Sequence, residues 1–209
     1  MKAILMQQPG EASSLVESEV NAPTLVEADQ LLIKLEAAGV NPIDTKLRAN
    51  GTYFPDQLPT ILGCDGSGRV VEVGAEVKNF HVGDEVYYFY GGIGGAEQGN
   101  YAEYNVISEA YVAPKPSNLS FSEAAAVPLA LITAWESLHH RTVVKKGESV
   151  LIHAGAGGVG HLAIQLAKIA GCRVITTVSS KEKEKFVRSL GADEVINYQN
   201  NLLSKQFWH

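Results

Sequence analysis

The C-terminal part of the chain alternates between short apolar runs and longer amphipathic segments. An apolar run at Val150–Ile152 leads into a glycine cluster, and the amphipathic stretch Val159–Ala170 follows it. The next segments predict a strand at Arg173–Val178, a helix at Lys181–Leu190 and a short strand at Glu194–Asn197. This order of strands and helices is typical of one half of a dinucleotide-binding fold.

Residues 1 to about 118 carry a different pattern, in which glycine and proline separate short β-type segments. In residues 31–37, apolar and charged positions alternate after Leu32, which suits a strand with one solvent-facing side. Several short strands at this spacing predict a small barrel or sandwich. The candidate strands are Lys2–Met6, Gln30–Val40, Gly68–Val73, Glu85–Tyr90, Tyr101–Ile107 and Tyr111–Ala113.

Helical patterns begin near Ser120. Ser120 and Glu123 have the spacing of a capping box, in which each residue satisfies a backbone N–H near the other. Pro128 ends that short helix and can begin the next, predicted over residues 129–140, because proline fits a first helical turn but not a helix interior.

The glycine cluster carries the most chemical information. Its G-x-G-x-x-G spacing predicts that Gly155 allows a tight turn, Gly157 lets a pyrophosphate approach the backbone, and Gly160 lets the helix pack on the strand. The helix N-terminus would offer free N–H groups and the positive end of a dipole to the phosphates. The alternative is a merely glycine-rich turn, but the strand at Arg173–Val178 supplies the expected context and favours a dinucleotide site.

Composition narrows the function class. The 209 residues are 45% apolar and 19% charged, as in ordinary globular proteins, and the net charge of -6 disfavours nucleic-acid and anionic-membrane surfaces. Cys64 and Cys172 lie far apart and imply no disulfide framework. Residues 1–7 lack the pattern of a signal peptide and no run reaches membrane-spanning length, so we expect a cytoplasmic protein.

Several segments resemble, in the same order, the medium-chain dehydrogenase/reductase superfamily, and most closely its zinc-independent quinone oxidoreductase (zeta-crystallin-like) branch. They are residues 38–51, 63–74, 83–86, 99–104, 124–128 and 154–160. The resemblance implies an α/β chain, with an N-terminal β-rich GroES-like barrel over residues 1–120 and a partial Rossmann NADP-binding domain, the first βαβαβ half, over residues 121–209. It implies an active site in the cleft between the domains. Members are normally longer, so we expect a C-terminal truncation, and a homodimer in full-length relatives.

The resemblance also bears on zinc. In the zinc-dependent branch a cysteine stands where this chain has Asn41, and a Gly-His-Glu motif stands at residues 63–65, here Gly-Cys-Asp. Catalytic zinc needs three protein ligands, and Asn41 is a poor one. We therefore expect no metal site, with Cys64 a small buried residue.

The end of the second predicted strand bears on which cofactor is used. NAD-specific sites place an acidic residue at the strand end, but this chain has Ser179 and Ser180 there, followed by Lys181, Glu182 and Lys183. Hydroxyls and lysines suit the 2′-phosphate of NADPH, with Ser179, Ser180 and Lys183 as contacts. The alternative is that Ser180 caps a helix whose charged residues face solvent. The expected cofactor-binding residues are these three together with Ala154, Gly155, Ala156, Gly157, Gly158, Val159 and Gly160.

Three residues match family positions near the reaction centre. The resemblance implies that Asn41 orients the cofactor carboxamide or the substrate carbonyl, that Tyr53 stabilises a developing oxyanion or relays a proton, and that Thr133 lies near the nicotinamide. Ordinary structural roles stay open for each: a turn before a proline for Asn41, loop packing for Tyr53 and helix packing for Thr133.

The function implied is zinc-independent hydride transfer from NADPH to a small-molecule quinone or α,β-unsaturated carbonyl. The alternative is a catalytically incomplete nucleotide-binding fragment of such an enzyme. A third possible function, a structural or RNA-binding protein, is disfavoured by the acidic net charge.

Overall fold

The computed structural model describes residues 1–199, whose contacts separate two compact units, Met1–Leu129 and the residues from Ala130 onward. The domain boundary predicted between residues 120 and 121 stays a prediction. Residues 200–209 of the predicted second domain lie outside the described residues. Within residues 1–199, each helix is too short or too polar to span a bilayer.

The strands and helices are numbered in chain order. The strands are β1 (Lys2–Met6), β2 (Leu15–Glu19), β3 (Gln30–Gly39), β4 (Thr60–Ile61), β5 (Asp65–Val73), β6 (Glu85–Phe89), β7 (Tyr104–Ser108), β8 (Val112–Pro114), β9 (Ser149–Ile152), β10 (Arg173–Val178) and β11 (Glu194–Asn197). The helices are α1 (Pro42–Asn50), α2 (Phe121–Ala125), α3 (Pro128–Trp135), α4 (Gly158–Ile169) and α5 (Lys181–Ser189).

The first unit is built on two antiparallel sheets, in the orders β7-β3-β5-β6-β8 and β2-β1-β4. In β3 the apolar Leu31 and Ile33 are buried while Lys34 is exposed, which confirms the alternation read from the sequence. These two residues pack with Val70, Val86 and other apolar side chains of neighbouring strands into one core.

Several elements of this unit differ from the sequence prediction. Strands β2 and β4 and helix α1 were not predicted, and β5 begins three residues earlier than expected, at Asp65. Helix α1 begins at Pro42, after the residue for which a turn was the alternative role, because Pro42 fits the first helical position and Asp44 accepts a hydrogen bond from the Asn41 N–H at 2.7 Å.

Helix α2 lies against strand β3 of this unit. A Cβ at Gly39 would overlap the carbonyl oxygen of Ala125, so only glycine allows this approach of helix to strand. The predicted capping box is confirmed, because Glu123 N–H donates to Ser120 Oγ and Ser120 N–H donates to the Glu123 carboxylate.

The second unit contains the predicted βαβαβ run. Its sheet has the order β11-β10-β9, and both strand pairs are parallel. Helix α4 buries Ala163, Ile164 and Ala167 against Val174 of the central strand in the core of this unit. The helix predicted over residues 129–140 is present as α3, and a π-helical turn at Glu136–Arg141 continues it.

The turn between β9 and α4 needs its glycines for space. The residue of this turn with left-handed backbone is Ala154 (φ 52°), so Gly155 serves the turn through its lack of a side chain and not through its dihedral angles. A Cβ at Gly155 would overlap the Thr176 hydroxyl, and one at Gly160 would overlap the Ala154 carbonyl oxygen. Gly160 therefore lets the start of α4 lie directly against the turn, whereas its expected role was to let the helix pack on the strand.

We expect Gly160→Ala to destabilise the second unit by about 2 kcal/mol or more, because the clashing atom belongs to the backbone and cannot rotate away. Gly158→Ala is the matched control, since a Cβ there meets nothing within 4 Å, and its effect should stay below about 1 kcal/mol. Hydrogen exchange of amides in β9 and α4 measures both. Equal protection in the two variants would contradict this prediction.

Candidate functional site: a glycine turn and a pair of buried carboxylates

Helix α4 begins without a side-chain cap. Its N-cap residue is Gly157, whose backbone is extended and which has no side chain to accept a hydrogen bond. The first N–H groups of a helix have no acceptor inside the helix. The start of α4 thus presents backbone donors and the positive end of the helix dipole, an arrangement that suits an anion.

Strand β10 holds this turn in place. The Ala154 N–H donates to Thr177 Oγ1 at 3.0 Å, and the Gly155 N–H donates to the Thr177 carbonyl at 3.1 Å. One residue earlier, the buried Thr176 hydroxyl donates to the Ile152 carbonyl at 2.7 Å. The two threonines fix the turn by hydrogen bonds to the neighbouring strand, which keeps the turn amides in a set orientation.

An open pocket of about 150 Å³ lies between the turn and the end of β10. It is lined by Ala154, Ala156, Gly157, Thr177, Val178, Ser179, Lys183 and Tyr198. Five of the predicted cofactor residues line this pocket: Ala154, Ala156, Gly157, Ser179 and Lys183. Lys183 Nζ donates to Ser179 Oγ at 3.1 Å. Ser180 Oγ accepts the Lys183 N–H at 3.2 Å and so caps α5.

Sequence reasoning missed three residues of this pocket, Thr177, Val178 and Tyr198. Thr177 follows an ordinary strand pattern, and nothing in the spacing of the sequence distinguishes its hydroxyl. Tyr198 lies directly after β11 and its N–H donates to the Val178 carbonyl at 3.2 Å. In a parallel sheet, neighbouring strand ends meet at one edge, which is the signal that could have identified Tyr198.

In the first unit, Asn41 is held by two buried carboxylates. Its side-chain Nδ2 donates to Asp65 Oδ2 at 2.9 Å, while its backbone N–H donates to Asp44 Oδ2. Asp65 Oδ1 accepts the Leu129 N–H at 3.0 Å, and Asp44 Oδ2 also accepts the Tyr101 hydroxyl at 2.8 Å. Both carboxyl groups are thus hydrogen-bonded, as buried polar groups must be.

The cluster has no cation to balance its charge. Among the ion pairs of residues 1–199, none includes Asp44 or Asp65. Burial raises the pKa of Asp65 to about 6, and it also raises the pKa of Asp44. Burial, with the nearby Asp44 and Asp65, raises the pKa of the Cys64 thiol to about 12, and burial with the Asp44 hydrogen bond raises the pKa of Tyr101.

Two protein families match parts of this chain. Residues 27–117 match the alcohol dehydrogenase GroES-like domain, and residues 158–207 match the family described as zinc-binding dehydrogenase. The two matches follow each other in the order of the two units. The chain belongs to the medium-chain dehydrogenase/reductase superfamily. Its fold is a GroES-like β-rich domain followed by the first βαβαβ part of a Rossmann fold.

Relatives within the superfamily agree with this assignment. The chain is 46% identical to a 2-methylene-furan-3-one reductase of Solanum lycopersicum, covering 88% of the chain and 48% of the relative. It is 44% identical to an NADPH-dependent alkenal/one oxidoreductase of Arabidopsis thaliana, covering 95% of the chain and 52% of the relative. The quinone oxidoreductase structure from Coxiella burnetii superposes with a TM-score of 0.85 at 42% identity, covering 98% and 64% of the two chains. The chain thus spans about half the length of these curated relatives.

The donor set around Asn41 does not fit the zinc site of other superfamily members. Zinc binds cysteine as the thiolate, but the Cys64 thiol is held protonated, with its Sγ 4.0 Å from Asp44 Oδ1. Asn41 directs its amide nitrogen, a donor, at Asp65. Within residues 1–199, no group of three His, Cys, Asp or Glu side chains has the arrangement of a metal site.

Two predicted catalytic residues have simpler surroundings than Asn41. Tyr53 lies in the loop after α1 and is 70% exposed, so its ring is largely accessible and is not packed closely on the barrel, which was the alternative role. Thr133 lies on an exposed face of α3, where its carbonyl accepts the Ser137 hydroxyl at 2.7 Å.

Asp65 makes stability depend on pH. Its carboxyl titrates near 3.8 when unfolded and at about 6 when folded, so between these values the folded chain binds the extra proton. The free energy of unfolding therefore falls as pH rises from about 4 to about 6, by about 3 kcal/mol for this group alone. We expect Asp65→Asn to remove that fall, as measured by urea unfolding at a series of pH values.

Asp44→Asn serves as the control for this measurement. The pKa of Asp44 is raised as well, so its ionisation also makes the free energy of unfolding fall as pH rises. The Asp44→Asn variant should therefore retain the fall that is due to Asp65. Identical pH slopes in the unmodified chain and in Asp65→Asn would contradict the prediction.

Proposed function

We propose that this chain provides the cofactor-binding turn and part of the substrate site of an NADPH-dependent, zinc-independent oxidoreductase. The reaction is hydride transfer to a quinone or an α,β-unsaturated carbonyl compound. The curated relatives support this class, since two of them are named for the reduction of such carbonyl compounds or for NADPH dependence.

The observation that carries the proposal is the uncapped start of α4 beside the Ser179–Lys183 pair. The backbone donors of residues 154–160 suit the diphosphate of a dinucleotide, and the Gly157 position leaves space for its approach. The Lys183 ammonium and the Ser179 hydroxyl suit a 2′-phosphate, because Lys183 supplies charge and both supply donors. Ser180 remains a proposed contact through its hydroxyl proton, since its oxygen already caps α5.

Three side chains have proposed roles at the reacting atoms. When bound, NADPH supplies the hydride. Asn41 orients the cofactor carboxamide or the substrate carbonyl, and the accessible Tyr53 hydroxyl donates a hydrogen bond or a proton to the developing oxyanion. Thr133 provides a hydroxyl near the nicotinamide.

Zinc independence is part of the proposal. The protonated Cys64 and the Asn41–Asp65 hydrogen bond support it, because both groups are committed to contacts that a metal would have to break. In place of a metal, hydrogen-bond donors such as Tyr53 then polarise the substrate oxygen. Assembly as a homodimer stays a prediction for the longer relatives.

The alternative function is nucleotide binding without turnover, and one experiment separates the two. We expect the chain to oxidise NADPH in the presence of an enone or a quinone, followed by the loss of absorbance of the reduced cofactor. We also expect NADPH at a hundred times its Kd to stabilise the fold by about 2.7 kcal/mol. Stabilisation without oxidation would favour the alternative, and the absence of both would overturn the proposal.

Cofactor preference depends on Lys183. We expect Lys183→Ala to raise the Kd for NADPH roughly 10- to 100-fold through the loss of a charge-assisted contact, and to change the Kd for NADH by less than about threefold. Lys185→Ala removes the same charge from an exposed position of the same helix and should leave both constants near their original values. Calorimetric titration measures each Kd. An equal loss of affinity for both cofactors in Lys183→Ala would contradict the role of Lys183.

A further inference from the structure

We propose that Asp65 is a positioning residue, whose hydrogen bond to Asn41 sets the orientation of the Asn41 side chain. This proposal rests on the proposed function, in which Asn41 contacts the cofactor or the substrate. Asp65 itself is 1% exposed and lies at the first position of β5, so it acts through Asn41 and not on a reacting group.

The hydrogen bond to Asp65 fixes which way the Asn41 amide faces. An asparagine side chain can rotate by half a turn and exchange its oxygen and nitrogen with little change in shape. A carboxylate only accepts, so Asp65 Oδ2 requires the Nδ2 branch of Asn41 on its side, at 2.9 Å. The carbonyl oxygen of Asn41 must then lie on the other branch, away from Asp65. The half-buried Asn41 thereby offers an acceptor, which suits an amide N–H such as that of a carboxamide.

Both oxygens of Asp65 are needed for this arrangement. Oδ1 accepts the N–H of Leu129, the second residue of α3, at 3.0 Å, so the carboxylate joins the loop after β3 to the first turn of α3. Asparagine at position 65 has one oxygen and one nitrogen and can accept from only one of these two donors. Either the Leu129 N–H or the Asn41 amide then loses its acceptor.

The backbone of Asn41 does not depend on Asp65. Its N–H is held by Asp44 Oδ2 at 2.7 Å, and Tyr101 holds the same oxygen of Asp44. A change at Asp65 therefore releases the Asn41 side chain while the main chain stays anchored. This separation allows the positioning role to be tested apart from the stability of α1.

Packing alone does not explain a carboxylate at position 65. The group is buried without a cation, and this arrangement costs free energy of folding at neutral pH, as its raised pKa indicates. A neutral residue of similar size would avoid that cost. What the ionised carboxylate adds is two acceptors in one fixed plane, directed at the Asn41 amide and the Leu129 N–H.

The first test is spectroscopic and needs no turnover. We expect the side-chain amide signals of Asn41, in a nitrogen-15 NMR spectrum of the unmodified chain, to shift with pH as Asp65 is protonated, with a midpoint at about 6. The other groups of the cluster that titrate are Asp44, Cys64 and Tyr101. Asp44 reports through the Asn41 backbone amide instead, which separates the two carboxyls. Side-chain signals that stay constant from pH 4.5 to 8 would overturn the proposal.

The second test uses Asp65→Asn. We expect its Asn41 side-chain signals to lose their pH dependence, and its kcat for enone reduction to fall about tenfold or more, since a misplaced orienting group costs rate. Asp84→Asn makes the same chemical change in a turn of the same unit and should keep kcat within twofold. Unchanged kcat and unchanged Asn41 signals in Asp65→Asn would overturn the positioning role. A pH-dependent Asn41 signal in a chain without any turnover would support the Asp65–Asn41 link and count against the proposed reductase function.

Discussion

The peptide N–H groups at the start of a helix need acceptors from outside the helix, and this requirement organises both units. At the start of four helices, a side-chain oxygen of the chain accepts a backbone N–H: Asp44 at α1, Ser120 and Glu123 at α2, Asp65 at α3 and Ser180 at α5. Helix α4 differs, because its N-cap is a glycine without a side chain. In the described part of the chain, the helix start left open to an outside acceptor is the one beside the Ser179–Lys183 pocket.

The sequence predicted the second unit in more detail than the first. Residue spacing and hydrophobic periodicity were enough to predict α4, β10, α5 and β11, because the period of the apolar positions changes clearly between the strands and helices of a parallel βαβ run. They failed for α1, since Asn41-Pro42 has the composition of a turn and only the later Asp44 marks it as a helix start. The left-handed backbone of Ala154 was not predicted, and Gly155 is needed for space against Thr176 and not for its dihedral angles.

The candidate site was predictable only where neighbours along the chain determine it. Ser179 and Lys183 are four residues apart at a strand–helix junction, so their meeting follows from local geometry. The cluster around Asn41 joins residues far apart in the chain, Asp65 and Tyr101 among them, and no local pattern marks their contact. Cys64 was expected to be a small buried residue, and it is 1% exposed, but its contact with Asp44 emerges only from the fold.

The two sites handle negative charge in opposite ways. At the start of α4, backbone donors and the Lys183 ammonium create a positive environment that favours an anionic ligand. Around Asn41, two carboxylates are buried without a cation, and their hydrogen bonds offset only part of the cost of burial, since both pKa values remain raised. The buried carboxylates cost free energy of folding, but they hold the Asn41 amide in one orientation. Burial, together with the same carboxylates, raises the pKa of the Cys64 thiol and keeps it protonated, so the chemistry left to this unit is that of hydrogen-bond donors and acceptors.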